Sequence, residues 1–293
     1  MRDLIEMTYK CTSTAITDCP KCKYYKECLL CEILNVHTGN APPIIDYPTS
    51  TQIIYAEGEW TMNEYKYKIC CSGGKDSVAS VILWYIYHKD LINQTEVVFY
   101  EPMFNETVSG LLDKQYAHIY NKVIPWCNLH GLKTTVLKSK HTYVEMFTHI
   151  ITRSKHVERN GKMSGGLISG LCKMTSDKQN ILNMYNKDAT SIVGIAYDEH
   201  KRYARLSEKQ YSILWEHQIT ESIAKDICKS WGLLSPHYEC NSRDGCWFCP
   251  NQLRKGFDTQ YHKELLRRLY NKNKDKLINN KVCYNITFDD ILN

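Results

Sequence analysis

From about Tyr65 onward, short runs of apolar or alternating residues are each followed by a longer stretch with helical spacing. "KYKICCS" reads as a strand, and Ser77–Asp90 behind it as a helix apolar enough to be buried. "TEVVFYE" is a second strand with no polar residue in its middle. "ETVSGLLDKQYAHIYNKVIPWCNLHG" then places Val108, Leu111, Leu112, Ile119 and Val123 at helical spacing and stops at Gly131, read as a C-cap. "LKTTVLKS" and "ATSIVGIAYD" are a third and a fourth strand. Strands that alternate with helices, some of them apolar throughout, predict an α/β fold with a parallel sheet covered by helices on both faces. Ligands of such sheets bind at the carboxyl ends of the strands. The chain has no internal repeat.

The rest of the chain divides around this pattern. Residues 1–58 form a cysteine-rich module and linker, the linker marked by the three prolines of "HTGNAPPIIDYPTSTQ". Residues 59–235 form the α/β domain, and residues 236–293 a C-terminal cysteine motif with a helical segment. A chain of 293 residues that is 43% hydrophobic and 24% charged can bury a substantial core. A net charge of +5 permits a phosphate-rich partner without requiring one. The absence of a long apolar run and the start "MRDLIEMTYK" point to a cytoplasmic protein without a membrane span or signal peptide. In that compartment 14 cysteines indicate metal or redox chemistry rather than disulfides. The eleven histidines show no metal-ligand spacing.

The first candidate for chemistry is "CSGGKDSV", at the turn between the first strand and its helix. Gly73 and Gly74 bring backbone amides close to a ligand, and the helix start adds free N–H groups and the positive end of its dipole. Lys75 adds a charge, Ser72 and Ser77 add hydroxyls, and Asp76 is placed either to hold Mg²⁺ or to cap the helix. A tight turn with a helix cap is the plain alternative. The spacing is not that of a Walker A loop.

The second candidate is the cysteine clusters. Cys246 and Cys249 form a C-x-x-C, a metal pair or a redox dithiol, with Cys240 six residues earlier. Cys19, Cys22, Cys28 and Cys31 read as C-x2-C-x5-C-x2-C, a structural zinc site by spacing, with a second cluster or free thiols as the alternatives. The "KYYK" between them reads as a solvated face or as a contact for nucleic acid. Glu101 and Glu106 flank the end of the second strand, as ligand contacts or as helix N-terminal charges.

Ser72 to Ser77, "SGGKDS", resembles the PP-loop of the ATP pyrophosphatase superfamily, in its branch similar to phosphoadenosine phosphosulfate (PAPS) reductases. Three further segments match that branch in order: "GLCKMTSDKQNI" with Cys172 and Lys178, "VGIAYDEHKRYARL" with Asp198, Glu199, Arg202 and Arg205, and a closing region that leads through a P-x-Y ending at Tyr238 to "RDGCWFCP". The resemblance spans about Tyr65 to Pro250. It implies an adenine nucleotide alpha-hydrolase-like fold that binds ATP with Mg²⁺, or a sulfonucleotide. The phosphates would lie on Ser72, Gly73, Gly74, Lys75, Asp76 and Ser77, with Lys178, Arg202 and Arg205 as further contacts. Lys75, Asp76 and Ser77 are the implied catalytic groups, and Asp198 and Glu199 acidic site residues.

The implied reaction cleaves the α–β bond of ATP and leaves AMP on a substrate oxygen, for displacement by sulfur. The resemblance also gathers Cys172, Cys240, Cys246 and Cys249 at one site, for a [4Fe–4S] cluster or zinc. A nucleic acid is a candidate acceptor, and a sulfur-donor protein a candidate partner. Two departures stand out: Ala196 where relatives often carry an arginine, and a tail, "NNKVCYNITFDDILN", without the C-terminal cysteine frame of PAPS and APS reductases. A sulfonucleotide reductase-like enzyme and a nucleotide-sensing regulator without turnover are the rival readings.

Overall fold

A computed structural model of the protein describes residues 51–55, 64–103, 118–165, 167–168, 171–236, 238, 259–283 and 286–292. Strands β1 (Thr51–Tyr55), β2 (Tyr67–Cys71), β3 (Thr95–Met103), β4 (Lys133–Thr142), β7 (Thr190–Val193) and β8 (Gln210–Tyr211) form one sheet in the order β1-β4-β3-β2-β7-β8. Every neighbouring pair in it is parallel. Two antiparallel pairs stand apart, β5 (Leu167–Ile168) with β6 (Leu171–Cys172) and β9 (Lys281–Cys283) with β10 (Ile286–Thr287).

The α/β architecture is as the sequence predicts, and β3 shows why its run is apolar. Val97 and Phe99 join one core while Val98 and Tyr100 join the other, so alternate side chains serve opposite faces. On the first face lie α1 (Lys75–Tyr87), α2 (Ile124–Leu129) and α7 (Glu221–Ser230), with Ile82, Leu83, Cys127, Ala224 and Ile227 fully buried. On the second lies α4 (Lys173–Met184), which contributes Ile181, with Tyr185 just beyond its end. Helix α1 is buried nearly all round, from Ser77 through Trp84 and again at Ile86, and so lacks the polar stripe of a surface helix.

Gly131 takes φ +76° just past α2. Its amide bonds the Asn128 carbonyl at 3.1 Å and Leu132 the Cys127 carbonyl at 2.9 Å, the paired bonds of a Schellman ending. Three shorter helices complete the α/β unit: α3 (Tyr143–Thr148), α5 (His200–Tyr203) and α6 (Ile213–Glu216). The chain then continues through α8 (Thr259–Asn273) to α9 (Phe288–Leu292). Phe288 docks this end by stacking on Tyr270 at 4.4 Å and meeting Phe147 of α3 edge-on at 5.8 Å.

Three details depart from the pattern read in the sequence. Strand β1, inside the stretch read as module and linker, adds an edge strand on β4. Strand β7 stops at Val193, short of the ten-residue run "ATSIVGIAYD". The first helix starts at Lys75 rather than Ser77.

A charged pair is buried at the end of the sheet where the strands begin. Lys68 on β2 is 2% exposed, and its Nζ donates to the carbonyls of Leu182 and Tyr185 at 2.7 and 2.6 Å, closing the C-terminal end of α4. Its register neighbour Glu96, fully buried on β3, accepts from the hydroxyls of Thr135 and Tyr185.

Candidate active site

Strands β2 and β7 are neighbours, but the chain leaves β2 towards β3 on one side and β7 towards β8 on the other. That divergence is the switch point where a doubly wound sheet opens a crevice at its carboxyl edge. Ser72, Gly73 and Gly74 lead from β2 into α1 at this point. Gly73 has φ +80°, which a residue with a Cβ adopts only under strain. Gly74 is the N-cap of α1 and offers no side chain to the helix amides, so α1 presents N–H groups where an anion is best held.

Ser77 ties the loop together. Its Oγ accepts from the Ser72 amide at 3.1 Å and donates to the Gly74 carbonyl at 2.9 Å. It also lies 3.2 Å from Ser72 Oγ. On the β7 side, Gly194 fits against this turn only because it lacks a side chain. A Cβ there would stand 2.7 Å from the Ser77 amide nitrogen and 2.8 Å from the Asp76 carbonyl carbon. Gly194 directly follows Val193, the last residue of β7.

Lys75 is the charge centre. Its Nζ reaches both oxygens of Asp76, at 2.8 and 2.9 Å, and Glu221 Oε2 at 2.9 Å. Burial alone would lower the Lys75 pKa, but the bonds to Asp76 and Glu221 outweigh it and hold the pKa above its ordinary value. The Asp76 pKa is raised, first by burial and further by Glu221 and Glu199, against the opposing pull of Lys75. Glu221 opens α7, and its amide donates to Asp198 Oδ1 at 3.1 Å. Glu199 accepts from the Ala196 amide at 3.2 Å and from Arg202 at 2.5 and 2.6 Å.

The fold therefore brings Ser72 to Ser77, Asp198, Glu199 and Glu221 to one edge of the sheet. Arg202 is committed to Glu199, and Arg205 is exposed with its Nε on the Lys201 carbonyl at 2.9 Å. Lys178, half-buried on α4, is near enough to the end of β2 for its charge to act on the Cys70 and Cys71 thiols. Glu101 is engaged by the Tyr120 hydroxyl and by Lys138 at 3.6 Å, whereas Glu106 lies outside the described residues.

Cys71, Cys127 and Cys228 are buried, as expected of cysteines outside the clusters. Burial pushes the Cys71 thiol up to about 11 and the Cys228 thiol further in the same direction, which leaves neither as a nucleophile at neutral pH. Cys172 belongs to β6, but its side chain lies outside the described residues. So do Cys240, Cys246 and Cys249 and the N-terminal Cys19, Cys22, Cys28 and Cys31. Among the described residues no three His, Cys, Asp or Glu side chains converge as a metal cage. Asp76 is the carboxylate within the loop that could hold a metal. No helix among the described residues is long and apolar enough to cross a membrane.

Tyr238, the tyrosine of the P-x-Y in the closing region, accepts from the Lys75 amide at 3.2 Å through its hydroxyl; the sequence reading gave no role to it, to Gly194 or to Glu221. Each is distant from the loop in the chain. For Gly194 the signal was a glycine inside an apolar run, which marks a close backbone approach.

Comparison with the sequence models of known protein families finds no match. No curated protein matches either. Among solved structures, the chain is similar to the U34-tRNA thiolase NcsA from Methanococcus maripaludis, determined with its [4Fe-4S] cluster. The identity is 15%, the TM-score 0.37, and the match covers 77% of this chain and 78% of that one.

Proposed function

We propose that the protein is a PP-loop enzyme that binds ATP at Ser72–Ser77, cleaves its α–β bond and adenylates a substrate oxygen for attack by sulfur. The observation that supports this best is the loop itself: a helix N-terminus with glycine at its N-cap, a positive-φ glycine and a lysine, set together at the switch point of a parallel sheet. Cleavage at the α–β bond makes pyrophosphate the leaving group, so charge grows on oxygens that need donors already in place. The α1 amides supply fixed donors. Lys75 supplies a mobile one, exchanging a carboxylate for a phosphate oxygen. Asp76 would help to hold a Mg²⁺ carried by the nucleotide, which would supply positive charge opposite the departing pyrophosphate.

The acceptor gains AMP as pyrophosphate departs, and a sulfur nucleophile then displaces AMP. Nucleic acid is the acceptor class proposed, with a sulfur-donor protein as partner. Cys172, Cys240, Cys246 and Cys249 would hold a [4Fe–4S] cluster or zinc, and the N-terminal cysteines zinc. Lys178, Arg202 and Arg205 remain proposed phosphate contacts; for Arg202 this requires release from Glu199.

The test is pyrophosphate release from ATP labelled at the α-phosphate, with Mg²⁺ and bulk nucleic acid, on anaerobically purified protein. Lys75→Ala should lower release by about 10²-fold or more. Turnover unchanged in that variant would sink the proposal. ATP bound but never cleaved would favour a sulfonucleotide substrate or a nucleotide sensor.

A further inference from the structure

Three groups from one stretch of chain converge on Lys75, one on each of its polar atoms. Glu221, at the start of α7, takes Nζ at 2.9 Å. Cys228, near the end of that helix, places its Sγ 3.1 Å from the Lys75 carbonyl oxygen. Tyr238, in the turn that follows, accepts the Lys75 amide at 3.2 Å. The turn that delivers Tyr238 is itself anchored. Leu233 bonds the Cys228 carbonyl at 2.8 Å, buried His118 lies 3.0 Å from the Leu233 carbonyl, and the Tyr238 amide bonds the Ser235 carbonyl at 3.1 Å.

The Lys75 amide belongs to the first residue of α1, one of the donors that a helix N-terminus offers to an anion. The Tyr238 oxygen therefore sits where a phosphate oxygen on this loop would sit. A phenol donates as well as accepts. When a phosphate oxygen takes the amide, the same hydroxyl can turn its proton to that anion and gain a charge-assisted bond in place of a neutral one.

We infer that Tyr238 is a phosphate ligand of the nucleotide site, its hydroxyl exchanging the Lys75 amide for an oxygen of the bound polyphosphate. This rests on the proposed polyphosphate site but not on turnover. Cys228 holds the Lys75 backbone in register for that exchange.

The test compares binding of ATP, inorganic pyrophosphate and adenosine to the full chain and to Tyr238→Phe, by calorimetry for the anions and ligand-observed NMR for adenosine. Thermal unfolding of both chains is the control for folding. A lost hydrogen bond to a charged group should weaken pyrophosphate and ATP by about tenfold or more and leave adenosine unchanged. Pyrophosphate bound equally well or more tightly by the variant would overturn the inference, because the hydroxyl would then merely compete for the amide. Equal losses for all three ligands, or a collapsed unfolding midpoint, would also overturn it by making Tyr238 a structural residue. If the wild-type chain binds ATP without cleaving it, the proposed activity fails while the Tyr238 comparison still decides. If it binds neither ATP nor pyrophosphate, both fail.

Discussion

Gly194→Ala puts one methyl group between β7 and the loop. Its carbon would lie 2.7 Å from the Ser77 nitrogen, 2.8 Å from the Asp76 carbonyl carbon and 2.9 Å from Ser77 Cα, whereas ordinary contact begins at 3.4 Å. All three neighbours are backbone atoms, so no side chain can swing aside. The strand and the helix start must part by about 0.7 Å or strain elsewhere, which for overpacking costs about 1–3 kcal/mol. The displaced atoms are those that shape the anion site, and a misplacement approaching 1 Å can cost about 10²-fold in rate.

Expected, then, are a lower unfolding midpoint and a loss of about 10- to 100-fold in pyrophosphate affinity and turnover. Gly131→Ala is the matched control. Its φ of +76° imposes a backbone penalty of about 1–2 kcal/mol, but its nearest neighbour is the Ile92 Cγ2 atom at an ordinary 3.7 Å. It should lower stability and leave pyrophosphate binding alone. Scanning calorimetry and isothermal titration decide the matter. Gly194→Ala with wild-type stability and affinity, or equal affinity losses in the two variants, would refute the reasoning.

Three further outcomes are expected. Glu221→Gln removes a carboxylate that competes with phosphate for Lys75, and pyrophosphate binding without Mg²⁺ should tighten a few-fold, about what a half-exposed ion pair is worth; weaker binding in titration calorimetry would contradict this. Lys68→Met strips the donor from the Leu182 and Tyr185 carbonyls and the nearby cation from buried Glu96, so denaturant unfolding should show a loss of about 3 kcal/mol; a loss under about 1 kcal/mol would refute the assignment. Burial depresses the pKa of His130, and likewise that of His217, which stacks on Tyr87 at 3.9 Å. Their neutral forms therefore support the fold above the ordinary histidine value near 6.5, and that support is lost as pH falls through the depressed values. The unfolding midpoint should drop on acidification through this window, and His130→Asn with His217→Asn should flatten the profile; an unchanged profile would refute the assignment.

The loop was legible because its chemistry is local. Two glycines, a lysine and two serines within six residues, between an apolar strand and an apolar helix, mark a tight strand-to-helix turn, which the structure has at Ser72–Gly74. The parallel sheet was legible in β3, whose unbroken apolar run could serve only a strand buried on both faces. Strand β1 was hidden because it is five residues long and follows a proline-rich stretch, and β8 because two residues carry no period. The end of β7 was misread because "GIAY" continues the apolar pattern, while Gly194 lies against the backbone of a helix start more than 100 residues earlier in the chain. The contacts of Glu221 and Tyr238 with Lys75 were unreadable for the same reason: they span separations of 146 and 163 residues.

Ser77 Oγ joins the two sides of the phosphate turn, the Ser72 amide and the Gly74 carbonyl, by bonds made within the protein alone. The entropy of shaping that turn is therefore lost during folding and does not recur at each encounter with a ligand. Association with pyrophosphate should then follow simple second-order kinetics at rising concentration, without the plateau of a slow conformational step. The partner changes that remain, at the Lys75 ammonium with the groups that clamp it and at Arg202, are side-chain motions on the picosecond-to-nanosecond scale.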